Sequence, residues 1–115
     1  ENGTSENLTD LRVQNCVMLK GAKLFNAQSN WNKRLQTPFA LVQSEGGMKW
    51  IITAWEKCHR PWANPPVPCI HSDPKFPDLK PGDASSIKGW VWFYEGENVD
   101  EELQRLANVH SLSYP

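Results

Sequence analysis

Apolar and polar residues alternate along several short stretches of the chain, the pattern expected of β-strands with two different faces. In residues 11–20, Val17 belongs to one face of the predicted strand and Cys16 to the other. Gly21 and Ala22 end this strand, and residues 23–25 predict a short second one. Cys16 is interpreted as a small buried apolar residue, because it lies within the alternating pattern.

A β-hairpin is the clearest local prediction. Residues 38–44 and 48–55 are both rich in strand-forming residues, and Glu45-Gly46-Gly47 joins them. Two such runs separated by three residues that include glycine are typical of a hairpin. Both faces of the second run are largely apolar, with Trp50 on one and Ile51 on the other. We therefore expect this strand to lie at the centre of a sheet and to be covered on both sides.

The following segment, residues 56–80, is rich in proline and predicts a long loop, because proline cannot donate a hydrogen bond to a sheet. Ordered loops of this length are usually functional. Residues 84–87 predict a short strand that leads into a last strand over residues 89–94. The side chains of that last strand alternate between two faces, with Trp90, Trp92 and Tyr94 on one and Val91 and Phe93 on the other.

A short C-terminal helix is predicted after this strand. Asn98 suits the N-cap position, and Glu101 three residues later makes a sequence close to a capping box. The apolar residues that follow recur at helical spacing and form one stripe that should dock on the sheet: Val99, Leu103, Leu106 and Ala107. The expected fold is mainly β, either an antiparallel β-sandwich or a compact sheet, with one short C-terminal helix.

Chain length and charge narrow the classes of protein. The 115 residues suit one domain, which we assign to residues 11–115, and the polar residues 1–10 read as a flexible N-terminal tail. The charges are nearly balanced, with twelve Lys and Arg residues and thirteen Asp and Glu residues. The basic residues form no stripe along the chain, so nucleic acid is not an expected partner. Apolar runs are only a few residues long, whereas a helix needs about 20 to span a bilayer, so no membrane insertion is expected.

Cysteine and histidine residues are concentrated in residues 58–73. Cys58 and Cys69 have ten residues between them and are predicted to form a disulfide that clamps the loop, worth roughly 2–3 kcal/mol. This bond favours a secreted or periplasmic location. With His59 and His71, the two thiols could instead bind zinc, but the chain has no C-x2-C knuckle. We assign no metal, cofactor or catalytic residue.

An aromatic surface is the best candidate for binding. Indole rings stack on the apolar faces of sugar rings, while nearby polar groups bind the hydroxyl groups. The chain has six Trp, and the candidate ligand-binding residues are Trp55, Glu56, Arg60, Trp62, Asn64, Trp90, Trp92 and Tyr94. Glu56 is also the one acid placed like a catalytic residue, at the end of a predicted central strand. The aromatic face of the last strand would show the same pattern if it packed beneath the helix.

Residues 78–96 carry a resemblance to a known group of domains. A Pro-Gly turn in DLKPGD is followed by the strand GWVWFYEG, an arrangement that resembles the closing strands of β-sandwich accessory domains in secreted carbohydrate-active proteins. It is also similar to the C-terminal strands of galactose-mutarotase-like folds. The resemblance covers about a sixth of the chain and implies a noncatalytic domain that binds a glycan or polysaccharide.

Two alternatives stay open at this point. The first is a structural or protein-interaction domain that contacts a partner or a neighbouring domain through the proline-rich loop. The second is a small enzyme or metal-binding protein centred on residues 58–73, where Ser72 and Asp73 follow His71 directly. Contiguous residues are poorly placed to form a catalytic triad, since each would point in a different direction.

Overall fold

The computed structural model describes residues 16–20, 23–26, 37–64 and 69–114. This part of the chain is mainly β, with two sheets and one short C-terminal helix, as predicted. Its elements are β1 (Val17–Lys20), β2 (Lys23–Asn26), β3 (Ala40–Gln43), β4 (Lys49–Trp55), β5 (Cys58–Asn64), β6 (Cys69–Pro74), β7 (Gly89–Glu95) and α1 (Val99–His110). The predicted tail, residues 1–10, and most of the region between β2 and β3 lie outside the described residues.

The larger sheet has five strands in the order β2-β1-β3-β4-β7. The predicted hairpin is confirmed as β3 and β4, and the short second strand as β2. Neighbouring strands are antiparallel except β1 and β3, which run parallel. Because β2 is antiparallel to β1 and β3 is parallel to it, β2 and β3 run in opposite directions. Strand β7 pairs with β4 and is the last strand of the sheet.

The second sheet occupies the segment that was predicted to be a loop. Strands β5 and β6 form an antiparallel ribbon, with Pro61 opposite Ser72. The loop prediction is therefore wrong, because it took proline as a barrier to any strand. Each strand of a two-stranded ribbon has one unpaired edge, where a residue without an N–H group is tolerated. Residues 84–87, which were predicted to be a strand, are not part of one.

Helix α1 covers one face of the five-stranded sheet. The side chain of Asn98 accepts a hydrogen bond from the backbone N–H of Glu101, which confirms the predicted N-cap. Leu103, on the side of the helix that faces the sheet, is fully buried, and burial of a leucine contributes about 1.5–3 kcal/mol. Cys16 is buried on this same side, as predicted, and burial raises the pKa of its thiol, with a further rise from the charge of Asp100.

The β5–β6 ribbon covers part of the opposite face. Val17 and Leu19 of β1 pack against Ala63 and Ile70 of the ribbon, with Val42 of β3 beside them. The ribbon therefore covers the β1 and β3 part of this face. Farther out on this face, Ile51 of β4 and Val91 and Phe93 of β7 stay exposed among the described residues, and the candidate site lies here.

Candidate functional site, an open sheet face and edge

The uncovered part of the sheet presents a patch of apolar side chains. Ile51, Val91 and Phe93 are 41%, 60% and 79% exposed, respectively. Phe93 lies opposite Ile51 on the neighbouring strand, and Val91 lies opposite Thr53. Side chains of directly paired residues lie on the same face and in contact range. These side chains therefore form one continuous surface, which we call the open face (Ile51, Thr53, Val91 and Phe93).

Trp55 extends the open face at the end of β4. Its indole ring lies across Gly89, the residue with which it pairs. A Cβ atom at position 89 would stand only 2.5 Å from the Cε3 atom of Trp55, far inside van der Waals contact. Glycine is therefore needed at this position, because any side chain would displace the ring.

The free edge of β7 has a defined pattern of hydrogen-bonding groups. Backbone bonds from Glu56 N–H to Lys88 C=O and from Gly96 N–H to Met48 C=O bracket the β4–β7 ladder. In an antiparallel pair, alternate residues direct both of their backbone groups to the same neighbour. The even-numbered residues of β7 thus bond to β4. The odd-numbered residues direct their N–H and C=O groups to the other side, where no strand of the described residues pairs with β7: Gly89, Val91, Phe93 and Glu95.

Strand β7 itself has no proline, no lysine and no bulge, three of the features by which proteins often prevent further strand pairing. Natural edge strands are protected by proline, by lysine, by a bulge or by extreme shortness. Strand β7 has seven residues in unbroken register with β4, and its sequence GWVWFYE contains neither proline nor lysine. It is thus a long, regular strand with apolar side chains next to unpaired backbone groups.

Polar groups border the open face at one end. An open groove of about 570 Å³ lies there, with Val42, Ile51 and Phe93 among the residues that form its apolar lining. Ser44, Lys49 and Glu95 line it as well, and Lys49 stands opposite Glu95 across the β4–β7 pair. An apolar centre with a charged border is the usual composition of a protein–protein interface.

The predicted aromatic face of β7 lies on the opposite side, against the helix. Trp90 and Trp92 are half-buried and stack on each other, with ring centroids 5.7 Å apart and planes 10° apart. The ring of His110, the last residue of α1, lies 4.6 Å from Trp90 and 5.4 Å from Trp92. Tyr94 donates a hydrogen bond from its hydroxyl to the Asn98 carbonyl at 3.3 Å. These contacts are those of core packing beneath a helix.

The other predicted binding residues do not join this face. Trp55 points to the open face, on the side of the sheet away from Trp90. Glu56 is exposed at the end of β4, where its carboxylate accepts a hydrogen bond from the Lys88 N–H at 3.1 Å. Arg60, Trp62 and Asn64 lie on β5, in the ribbon. The eight candidate residues are thus distributed over three separate places.

The ribbon holds its own group of polar and aromatic side chains. Trp62 stacks on His71, with ring centroids 3.9 Å apart and planes 5° apart. The indole N–H of Trp62 donates to a carboxylate oxygen of Asp73 at 2.9 Å. The Sγ atom of Cys69 lies 3.1 Å from Nε2 of His71.

The predicted disulfide between Cys58 and Cys69 is wrong. None of the three cysteines is disulfide-bonded in the structure. Pairing within the ribbon places Cys58 opposite Pro74 and Cys69 opposite Asn64, at opposite ends. Five residues along a strand span about 17 Å, whereas a disulfide requires Cα atoms less than about 7 Å apart. A short separation in sequence had suggested the bond, but the strand register keeps the two thiols apart.

Neither a metal site nor a membrane helix is found in the described ranges. Among residues 16–20, 23–26, 37–64 and 69–114, no three His, Cys, Asp or Glu side chains are grouped so that they could hold a metal ion. The helix of this region is too short and too polar to cross a membrane.

Sequence reasoning did not identify the open face as a candidate site. Val91 and Phe93 were assigned to the reverse side of an aromatic strand and were given no role. Their alternation with Trp90 and Trp92 was a usable signal, because a strand that is apolar on both faces needs cover on both. The sequence did not show that, within the part of the chain that the structure describes, only one of these faces is covered.

Comparisons with protein-family models, curated proteins and solved structures find no match to this chain.

Proposed function

We propose that the chain is a protein-interaction domain that accepts an extended segment of another polypeptide alongside β7. The observation that carries the proposal is that one set of residues supplies both kinds of binding group. Gly89, Val91, Phe93 and Glu95 direct their backbone groups to the free edge, and two of them hold the most exposed apolar side chains of the open face. An added strand would pair with the edge and extend the sheet on which those side chains lie.

Backbone hydrogen bonds and apolar burial would both contribute to such binding. Strand addition generally obtains its affinity from main-chain hydrogen bonds and its specificity from alternate side chains. Each hydrogen bond contributes about 0.5–1.5 kcal/mol net. Burial of Phe93, which is 79% exposed, could contribute up to roughly 1.5–3 kcal/mol. The sum is offset in part by the entropy that the partner segment loses when it becomes ordered.

The open face indicates the chemistry of the partner segment. Its alternate side chains should be apolar, because they would lie beside Val91 and Phe93. Polar or charged side chains are expected near Lys49 and Glu95, at the border of the groove. The expected partner segment therefore has the alternating sequence pattern of a β-strand that is apolar on one face.

Selection of displayed linear peptides against the purified chain tests the proposal. We expect binders with alternating apolar residues, and we expect Val91→Pro to abolish their binding. The Val91 N–H points away from β4, so this proline removes a free donor without removing a bond of the β4–β7 ladder. Val91→Thr is the matched control, because it retains the donor. Binders that tolerate both Val91→Pro and Phe93→Thr would bind elsewhere and would contradict the proposal.

Carbohydrate binding stays a prediction, as does a secreted or periplasmic location. Trp55 and Trp62 are half-buried, so part of each indole ring is accessible to a sugar. Trp90 and Trp92 are half-buried as well, and both contact the ring of His110. Quenching of tryptophan fluorescence by oligosaccharides, and its loss in Trp55→Ala or Trp62→Ala, would favour a glycan ligand over a peptide.

A further inference from the structure

Cys69 and His71 form a contact that the proposed interaction function does not use. The two residues are separated by one position on β6, so their side chains lie on the same side of the ribbon. The distance from Cys69 Sγ to His71 Nε2 is 3.1 Å, short enough for a hydrogen bond between thiol and imidazole. Both residues are only partly buried.

The imidazole ring of His71 is fixed in place by its neighbours. It stacks on the indole of Trp62 with the planes 5° apart, and the indole N–H is anchored to Asp73 at 2.9 Å. A nucleophile in contact with a base that a third group orients is the usual arrangement of an activated side chain. Cys69 is the nucleophile in this arrangement and His71 is the base. Trp62 orients the imidazole ring by stacking on it, and Asp73 fixes Trp62 by a hydrogen bond.

The other two cysteines have different surroundings. Cys16 is fully buried, and burial raises the pKa of its thiol. Cys58 is partly buried like Cys69, but its Sγ atom lies 3.5 Å from the hydroxyl of Ser72. That hydroxyl donates its single hydrogen to the Pro38 carbonyl, so toward Cys58 it acts as an acceptor for the S–H group. In this contact Cys58 meets a hydroxyl oxygen, whereas Cys69 meets an imidazole nitrogen.

We propose that Cys69 is a nucleophilic thiol, activated by His71, and that it forms mixed disulfides with small disulfide compounds faster than Cys16 or Cys58 does. In the reaction, the Cys69 proton passes to Nε2 of His71 while the sulfur attacks one sulfur of the disulfide R–S–S–R. A new S–S bond forms to Cys69 and the old S–S bond breaks. The leaving thiolate R–S⁻ then receives the proton from His71, so that one thiol is consumed and one is released.

The test compares the cysteines within one molecule. The intact chain is treated with 4,4′-dithiodipyridine, and the rate of modification at each cysteine is followed by peptide mass spectrometry. We expect Cys69 to react at least about tenfold faster than Cys58 in the folded protein. In denaturant the two should react at similar rates, because the contact with His71 is lost. Equal rates in the folded protein, or faster reaction at Cys58, would overturn the proposal.

Replacement of the histidine tests its role separately. His71→Gln retains a polar side chain of similar length but removes the base, and it should slow Cys69 about tenfold without changing Cys58. His59→Gln is the matched control and should leave the Cys69 rate unchanged. An unchanged Cys69 rate in folded His71→Gln would overturn the role of His71.

Discussion

Replacing Phe93 by threonine tests whether the Phe93 side chain stabilises the fold or is left exposed for binding. Phe93 is 79% exposed, so about a fifth of its accessible surface is buried within the chain. For a phenylalanine of roughly 200 Å² this is about 40 Å², which at about 25 cal/mol per Å² corresponds to about 1 kcal/mol. Threonine favours strands, which keeps the cost from rising further. We therefore expect Phe93→Thr to lower the free energy of unfolding by about 1 kcal/mol or less.

The same substitution at Phe39 provides a matched control. Phe39 is fully buried and contacts the rings of Trp92 and Tyr114 on the helix side of the sheet. Loss of a buried phenylalanine costs about 3–5 kcal/mol. Urea unfolding followed by far-ultraviolet circular dichroism measures both variants on one scale. A loss at Phe93 as large as that at Phe39 would show that this chain covers Phe93 in solution, and the reasoning about the open face would be refuted.

Three further substitutions test other parts of the fold. Gly89→Ala should destabilise the chain by about 1–3 kcal/mol, because its Cβ would overlap the ring of Trp55. In a double-mutant cycle, the same substitution should cost much less when Trp55 is replaced by leucine. Asn98→Ala should cost about 1 kcal/mol by removal of the helix N-cap, and Asn98→Asp should cost much less; thermal unfolding measures both. Cys16 has a raised pKa in the folded chain, so its contribution to stability is complete below the ordinary value of 9.0 and is lost as pH rises above it. Cys16→Ala should therefore flatten the fall in stability at alkaline pH, measured by urea unfolding across that range.

Each of these has an outcome that would contradict it. Equal stability of Gly89→Ala and the native chain would mean that the Trp55 ring is not held over position 89. Equal losses in the two Asn98 variants would remove the capping bond as the cause. An alkaline fall in stability that persists unchanged in Cys16→Ala would have to come from other groups.

Much of the sheet could be predicted from the sequence because strands have a period of two residues. The hairpin of β3 and β4 was identified from two strand-forming runs around Gly46 and Gly47, and the alternation in β7 assigned its side chains to the correct faces. The helix was equally predictable from the sequence, since the Asn98 cap and the apolar stripe are local signals. Features of this kind depend on neighbouring residues only.

The errors arose where the outcome depends on distant parts of the chain. Prolines such as Pro61 suggested a loop, although an edge of a two-stranded ribbon accommodates them. Cys58 and Cys69 are close in sequence, but their separation in space follows from the register of that ribbon. For the candidate site, alternation could not reveal that the helix covers Trp92 while Phe93 stays exposed. Which face of a strand packs against another element depends on the tertiary structure, and alternation along the strand does not show it.

Hydrogen exchange of the backbone amides of β7, resolved by NMR, tests the central claim most directly. In the isolated chain, the amides of Val91 and Phe93 should exchange rapidly, because they face the free edge. Those of Trp92 and Tyr94 should be protected by β4. Addition of a selected peptide should protect Val91 and Phe93 as well. Protection of these two amides in the isolated chain, or their continued rapid exchange in the complex, would contradict strand addition at β7.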